Sequence, residues 1–211
     1  MSSFSTIFTL KLEIYTMLLR AIIITLILIP EISYSQNIDI RLLRAINSPE
    51  SLPSDNFFRF VSDSHAYIIL GTNAALGVAG FIRKDDEMKN KALEMIVASA
   101  ATLGISQAIK YTVNRERPFV KYPDIMKKTG AGDPSFPSGH TSAAFSAATS
   151  LSLSYPEWYV IVPSYAWAGT VGYSRMHLGA HYPSDVLAGA LIGSGCAWLT
   201  HIVNRKLNSR K

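Results

Sequence analysis

Five apolar segments dominate this chain and set what it can fold into: AYIILGTNAALGVAGFI, ALEMIVASAATLGISQAI, AAFSAATSLSL, WYVIVPSYAWAGTVGY and VLAGALIGSGCAWLTHIV. None alternates apolar and polar residues as a half-buried strand would, and most are too long for a buried one. Each reads as a helix, and none carries a polar stripe wide enough to face solvent along its length. The expected fold class is therefore all-α, a helical bundle. The segments are rich in Gly, Ala, Ser and Thr, and GALIG from Gly189 to Gly193 has the small-xxx-small spacing that lets membrane helices approach closely. A tightly packed soluble bundle would use the same composition. Segment length and spacing point to a membrane-embedded bundle.

The net charge of +5 suits an anionic partner: nucleic acid, a membrane surface or a phosphorylated molecule. No cluster of Lys and Arg is interleaved with aromatics, which disfavours nucleic acid. Cys196 is the single cysteine, so one chain supports neither a disulfide nor a multi-thiolate metal site. Residues 1–35 combine Lys11 and Arg20 with the run AIIITLILIP and a small-residue pattern at Ser33 to Ser35, as expected for a signal peptide or an N-terminal membrane anchor. Residues 36–65 read as an amphipathic, interfacial segment, and residues 204–211 as a basic tail. If the helices span, the loop from Arg83 to Lys91 and this tail share one side, which the positive-inside tendency assigns to the cytoplasm.

The polar residues cluster by helix end. The second apolar segment ends at Lys110, ahead of Arg117-Pro118; the third begins at Pro137-Ser138-Gly139-His140; the fourth ends at Ser174-Arg175; and the fifth follows His181 and Asp185. In an up-and-down bundle these ends meet at one rim. Lys110, Arg117 and Arg175 supply cations that match the oxygens of a tetrahedral anion. Ser138 is expected to cap the third helix through its side chain, and the Gly139 backbone to offer donors at that helix start. Asp185, four residues beyond His181, is placed to orient its ring, making His181 the expected nucleophile. His140 suits the proton transfers.

His177 has no carboxylate at a matching offset and reads as a packing residue near the site. His65 and His201 read as structural, and Arg115 and Glu116 as solvated.

K-x-x-x-x-x-x-R-P at Lys110 to Pro118, P-S-G-H at Pro137 to His140, and S-R-x-x-x-x-x-H-x-x-x-D at Ser174 to Asp185 resemble the three signature motifs of the type 2 phosphatidic acid phosphatase and vanadium haloperoxidase superfamily. The resemblance covers about residues 66–203, which would form the catalytic domain. It implies an all-α fold with the motifs at one end, and metal-independent hydrolysis of a phosphomonoester or diphosphate, often of a lipid, through a phosphohistidine and with no cofactor. By the same resemblance Lys110, Arg117, Ser138, Gly139 and Arg175 bind phosphate. His140 is then the acid/base, His181 the nucleophile and Asp185 its partner. Membrane members have six spanning helices, against five clear segments and the N-terminal run here. The expected place is the inner membrane of a cell envelope with the site facing the periplasm. The alternatives are a soluble periplasmic acid phosphatase on small phosphomonoesters, a vanadate-dependent haloperoxidase and a non-catalytic anion-binding envelope protein.

Overall fold

The computed structural model describes residues 32–132 and 134–208, with the backbone alone described for 32–37. The expected signal or anchor lies almost wholly outside the described residues. The chain divides into two compact units between Ile38 and Asp39, and the larger, residues 39–211, holds the bundle. The described residues form α1 (Ile32–Ile46), α2 (Ser54–Ile82), α3 (Asp86–Val113), α4 (Pro118–Lys121), α5 (Gly139–Ser154), α6 (Trp158–His177) and α7 (Pro183–Asn208).

Local chemistry sets the helix limits. Lys84, at φ 53°, reverses the chain after α2, and the Asp85 carboxylate then caps α3 by accepting from the Met88 amide at 3.0 Å. Asn114, at φ 47°, ends α3 in a left-handed turn. Pro118 and Pro183 open α4 and α7, where a missing amide hydrogen costs no helical bond. The sequence NFFRFVSDS does not form a separate interfacial element. It runs without a break into the next segment as α2, so a boundary at residue 65 would cut a continuous helix.

The small residues lie inside. α5 packs against α2, α3, α6 and α7, and its Thr141, Ser142, Ala144, Ser146, Ala147 and Ala148 are buried. The close approach of α5 and α7 depends on glycine. A Cβ at Gly193 would lie 2.0 Å from the Ser142 carbonyl oxygen, and one at Gly189 would lie 2.7 Å from that of Ser138. The GALIG spacing is thus the contact that seats the start of α5.

The large apolar side chains point outward. Phe60, Tyr67 and Phe81 on α2 are 72%, 78% and 76% exposed, and Leu103 on α3 and Leu191 on α7 are exposed as well. A soluble bundle would bury such a belt. Three stretches are long and apolar enough to cross a bilayer: Ser54–Ile82, Asp86–Lys121 and Pro183–Asn208. The other two expected segments, α5 with 16 residues and α6 with 20, are not among these stretches.

Candidate active site

The four motif-bearing helix ends meet at one rim of the bundle, around a cavity of about 450 Å³. Lys110, Arg117, Gly139, His140, Arg175 and His181 all line it. Lys110, in the last turn of α3, is buried and donates to the Pro134 carbonyl at 2.7 Å. Arg117, just ahead of α4, donates to the Ala180 carbonyl at 2.9 Å. Arg175, near the end of α6, is 2% exposed and donates to the Ser62 hydroxyl. Three cations therefore face one space, each anchored through an uncharged neighbouring oxygen. At the start of α5, nothing lies within 4 Å of where a Gly139 Cβ would be, so this backbone is open to the cavity. Amide hydrogens of a first helical turn have no intrahelical partner, and here they add donors to the cationic seat.

Ser138 departs from expectation. Its side chain makes no capping bond to the helix and pairs instead with the Thr141 hydroxyl at 2.9 Å, while its amide donates to the Asp185 carbonyl at 3.0 Å. Ser138 is fully buried and ties α5 to α7, and the open donors come from the residues after it.

His181 is 1% exposed, and the contacts of its two ring nitrogens fix its tautomer. Nε2 lies 3.2 Å from Arg117 Nη1, a group that only donates, so Nε2 carries the lone pair. Nδ1 then carries the proton and faces Asp185 Oδ2 at 3.5 Å, an ion-pair spacing longer than a hydrogen bond. The lone pair is thus directed to the side of the cations. Burial lowers the His181 pKa to about 4, against a smaller opposing effect of the Asp185 carboxylate, so the imidazole is neutral and nucleophilic at physiological pH.

Asp185 is held by residues that spacing did not reveal. Its Oδ2 accepts from the Ser135 hydroxyl and from the Tyr182 amide at 3.0 Å, and its Oδ1 from Arg115 Nη1 at 2.6 Å. Arg115, expected to be solvated, has a side chain only 12% exposed. Its other terminal nitrogen donates to Asp39 at 2.9 Å, and its guanidinium lies over the Tyr182 ring at 3.9 Å. Asp39 in turn accepts from the Ser184 amide and hydroxyl. The partners lie 70 and 76 residues from Arg115 along the chain, so no local pattern announces them. Arg115→Met leaves two carboxylates that have lost their shared cation. It is expected to lower stability by about 3 kcal/mol, with Arg115→Lys restoring part, in thermal melts of the detergent-solubilised protein.

Two other histidines differ from their sequence reading. His177 does have a carboxylate: Nε2 lies 2.7 Å from Asp55 Oδ1, 122 residues away, and Asp55 also meets the buried Lys128 ammonium at 3.0 Å. This buried cluster fastens the loop after α4 to α2 and α6. His65 lines the cavity itself, its ring lying against that of His140 at a tilt of 34° with centroids 4.0 Å apart. Its position one helical turn after Ser62, which holds Arg175, could have signalled this only once α2 was known to be continuous. His201 pairs with Glu94 at 2.8 Å, outside the cavity.

The fold and site together define a helical membrane protein in which three cations and three imidazoles line one cavity. The chain belongs to the PAP2 superfamily, whose sequence profile matches residues 91–209, and it is a phosphatase of that family. It is 28% identical to an undecaprenyl-diphosphatase of Sulfolobus acidocaldarius, over 88% of this chain and 89% of that protein. It is 34% identical to a lipid A 4'-phosphatase of Bacteroides thetaiotaomicron, over 46% of this chain and 43% of that protein. Its fold matches the crystal structure of the first transmembrane PAP2 type phosphatidylglycerolphosphate phosphatase from Bacillus subtilis. The TM-score is 0.69 at 22% identity, covering 82% of this chain and 87% of that one. Asp39, Ser62 and His65 lie outside the stretch matched by the family profile.

Proposed function

We propose that the protein hydrolyses a lipid phosphate or diphosphate through a phosphohistidine on His181, without a metal ion. The observation that carries this reading is the His181 Nε2 lone pair facing Arg117 in a cavity also lined by Lys110 and Arg175. In the first step Nε2 attacks phosphorus, the bond from phosphorus to the leaving oxygen breaks, and His140, whose pKa burial and Arg175 lower and a bound phosphate anion raises again, gives that oxygen a proton. In the second, His140 takes a proton from water as the water oxygen attacks phosphorus, and the N–P bond breaks to release inorganic phosphate. Lys110, Arg117, Arg175 and the α5 amides hold the charge that builds on the equatorial oxygens, a task a metal performs elsewhere. Asp185 holds the Nδ1 proton in place and stabilises the positive charge the ring acquires.

The exposed apolar belt and the relatives named above support a lipid substrate presented from the bilayer. The basic turn between α2 and α3 and the basic C-terminus lie at the end away from the cavity, since α3 is about 42 Å long. Positive charge there supports a cytoplasmic placement of that end and a periplasmic active site in a cell inner membrane.

The test is phosphate release by the purified protein from phosphatidate, phosphatidylglycerol phosphate, polyprenyl diphosphate and an aryl phosphate, with and without EDTA. Release that favours a lipid and persists in EDTA is expected. Preference for the aryl ester would indicate a small-ester phosphatase, and loss in EDTA would contradict the metal-free mechanism. Halide oxidation with vanadate in place of phosphate release would replace the reading altogether.

A further inference from the structure

One turn of α2 reaches into the cavity. Val61, Ser62, Ile69 and Asn73 belong to the buried face of this helix, and His65, one turn after Ser62, stands on the same face and lines the cavity. Ser62 fixes two groups at once: its hydroxyl accepts from Arg175, and its carbonyl oxygen lies 2.7 Å from His65 Nδ1. A carbonyl only accepts, so Nδ1 carries the proton and, in the neutral ring, Nε2 is left with a lone pair. Among the described residues no group donates to that lone pair. It is not enclosed either, since the fully buried polar atoms that lack partners do not include it. His65 stands on a stretch able to cross a bilayer, where an unpaired polar atom is costly unless it meets water or a ligand. Its ring lies against that of His140, tilted by 34° with centroids 4.0 Å apart, so the open acceptor accompanies the group that moves the protons.

The two steps of the reaction differ in what they offer such an acceptor. In-line displacement puts the leaving oxygen and, after it, the attacking water on the same side of phosphorus, opposite His181 Nε2 and next to His140. The leaving oxygen of a phosphate ester or diphosphate is bonded to phosphorus and to carbon or a second phosphorus, and has no hydrogen to donate. Water has two. As the water oxygen bonds to phosphorus and the N–P bond breaks, one proton passes to His140. The other stays on the oxygen and is free to point at an acceptor. An alcohol in the same place has only the proton that His140 takes.

We propose that His65 Nε2 accepts a hydrogen bond from the second O–H of the attacking water, which makes His65 a catalytic residue of the second step alone. The proposal rests on the phosphohistidine reading and goes beyond it by setting how the phosphoenzyme chooses its acceptor. Water is held through both hydrogens, an alcohol through one. His65 itself takes no proton, and the phosphate departs with the hydrogen that His65 had oriented.

The full-length protein in detergent micelles is given phosphatidate, a polyprenyl diphosphate or an aryl phosphate in water containing methanol, and methyl phosphate and inorganic phosphate are measured together. Their ratio reports the fate of one intermediate and does not depend on how much of the protein is folded. His65→Phe keeps a ring against His140 and removes the acceptor, whereas His65→Gln removes the ring and keeps an acceptor oxygen. His65→Phe is expected to raise the ratio of methyl phosphate to phosphate by roughly three- to tenfold, the worth of one hydrogen bond, and to raise the fraction of protein held as phosphohistidine during turnover. His65→Gln is expected to lie closer to wild type in both. A ratio unchanged in His65→Phe, or raised equally in both variants, would overturn the proposal while leaving the phosphohistidine reading intact. Wild-type ratios that differ from one substrate to another would show that no common phosphoenzyme forms. That result, or release from none of the three substrates, would remove the phosphohistidine reading and the proposal with it.

Discussion

His181→Ala is expected to reduce phosphate release by about 10⁴-fold or more while leaving inorganic phosphate bound, measurable as protection of the folded protein against heat. The loss is large because no other described group in the cavity combines a fixed lone pair with a neighbouring carboxylate. Binding survives because Lys110, Arg117 and Arg175 are each anchored by an oxygen outside the imidazole: the Pro134 carbonyl, the Ala180 carbonyl and the Ser62 hydroxyl. Turnover close to wild type would show that the nucleophile is elsewhere. Loss of turnover together with loss of phosphate protection would show that His181 is structural.

The second large effect falls on the fold. Gly193→Leu is expected to prevent α5 from docking on α7, because a Cβ 2.0 Å from the Ser142 carbonyl oxygen meets backbone rather than a side chain that can turn aside. Overpacking of this kind costs about 1–3 kcal/mol when neighbours yield, and more when they cannot. Since Gly189 makes the same kind of approach to Ser138, the displacement would reach the helix start that lines the cavity. The expected result is a protein that fails to accumulate in the membrane or elutes as aggregate in detergent. Gly195→Ala is the control, because nothing lies within 4 Å of its missing Cβ. A Gly193→Leu variant that melts like wild type would contradict the close helix contact.

The sequence disclosed what is local. Helix ends carry their own signals, so Lys110, Pro137 to His140, Arg175 and His181 to Asp185 could be assigned to one rim from their order and spacing. The glycine spacing of GALIG likewise announced a close helix contact. What stayed hidden is what depends on distant partners. Arg115 resembled a solvated residue because Asp39 and Asp185 reach it from 76 and 70 residues away. His177 lacked a local carboxylate because Asp55 is on another helix. His65 reads as structural in the sequence, and its place against His140 depends on α2 continuing through a stretch whose polar residues suggest an interfacial break. Apolar periodicity alone also made five segments equivalent, although length and composition single out three stretches as able to span.

The measurement that tests the central claim most directly is the capture of the covalent intermediate. The wild-type protein is mixed with a lipid phosphate in detergent, quenched in alkali, where phosphohistidine survives, and digested for mass spectrometry. A phosphoryl group on the peptide carrying His181, absent from the same peptide after mild acid and absent in His181→Ala, is the predicted result. Turnover without any such adduct, or an adduct on His140 instead, would contradict the mechanism.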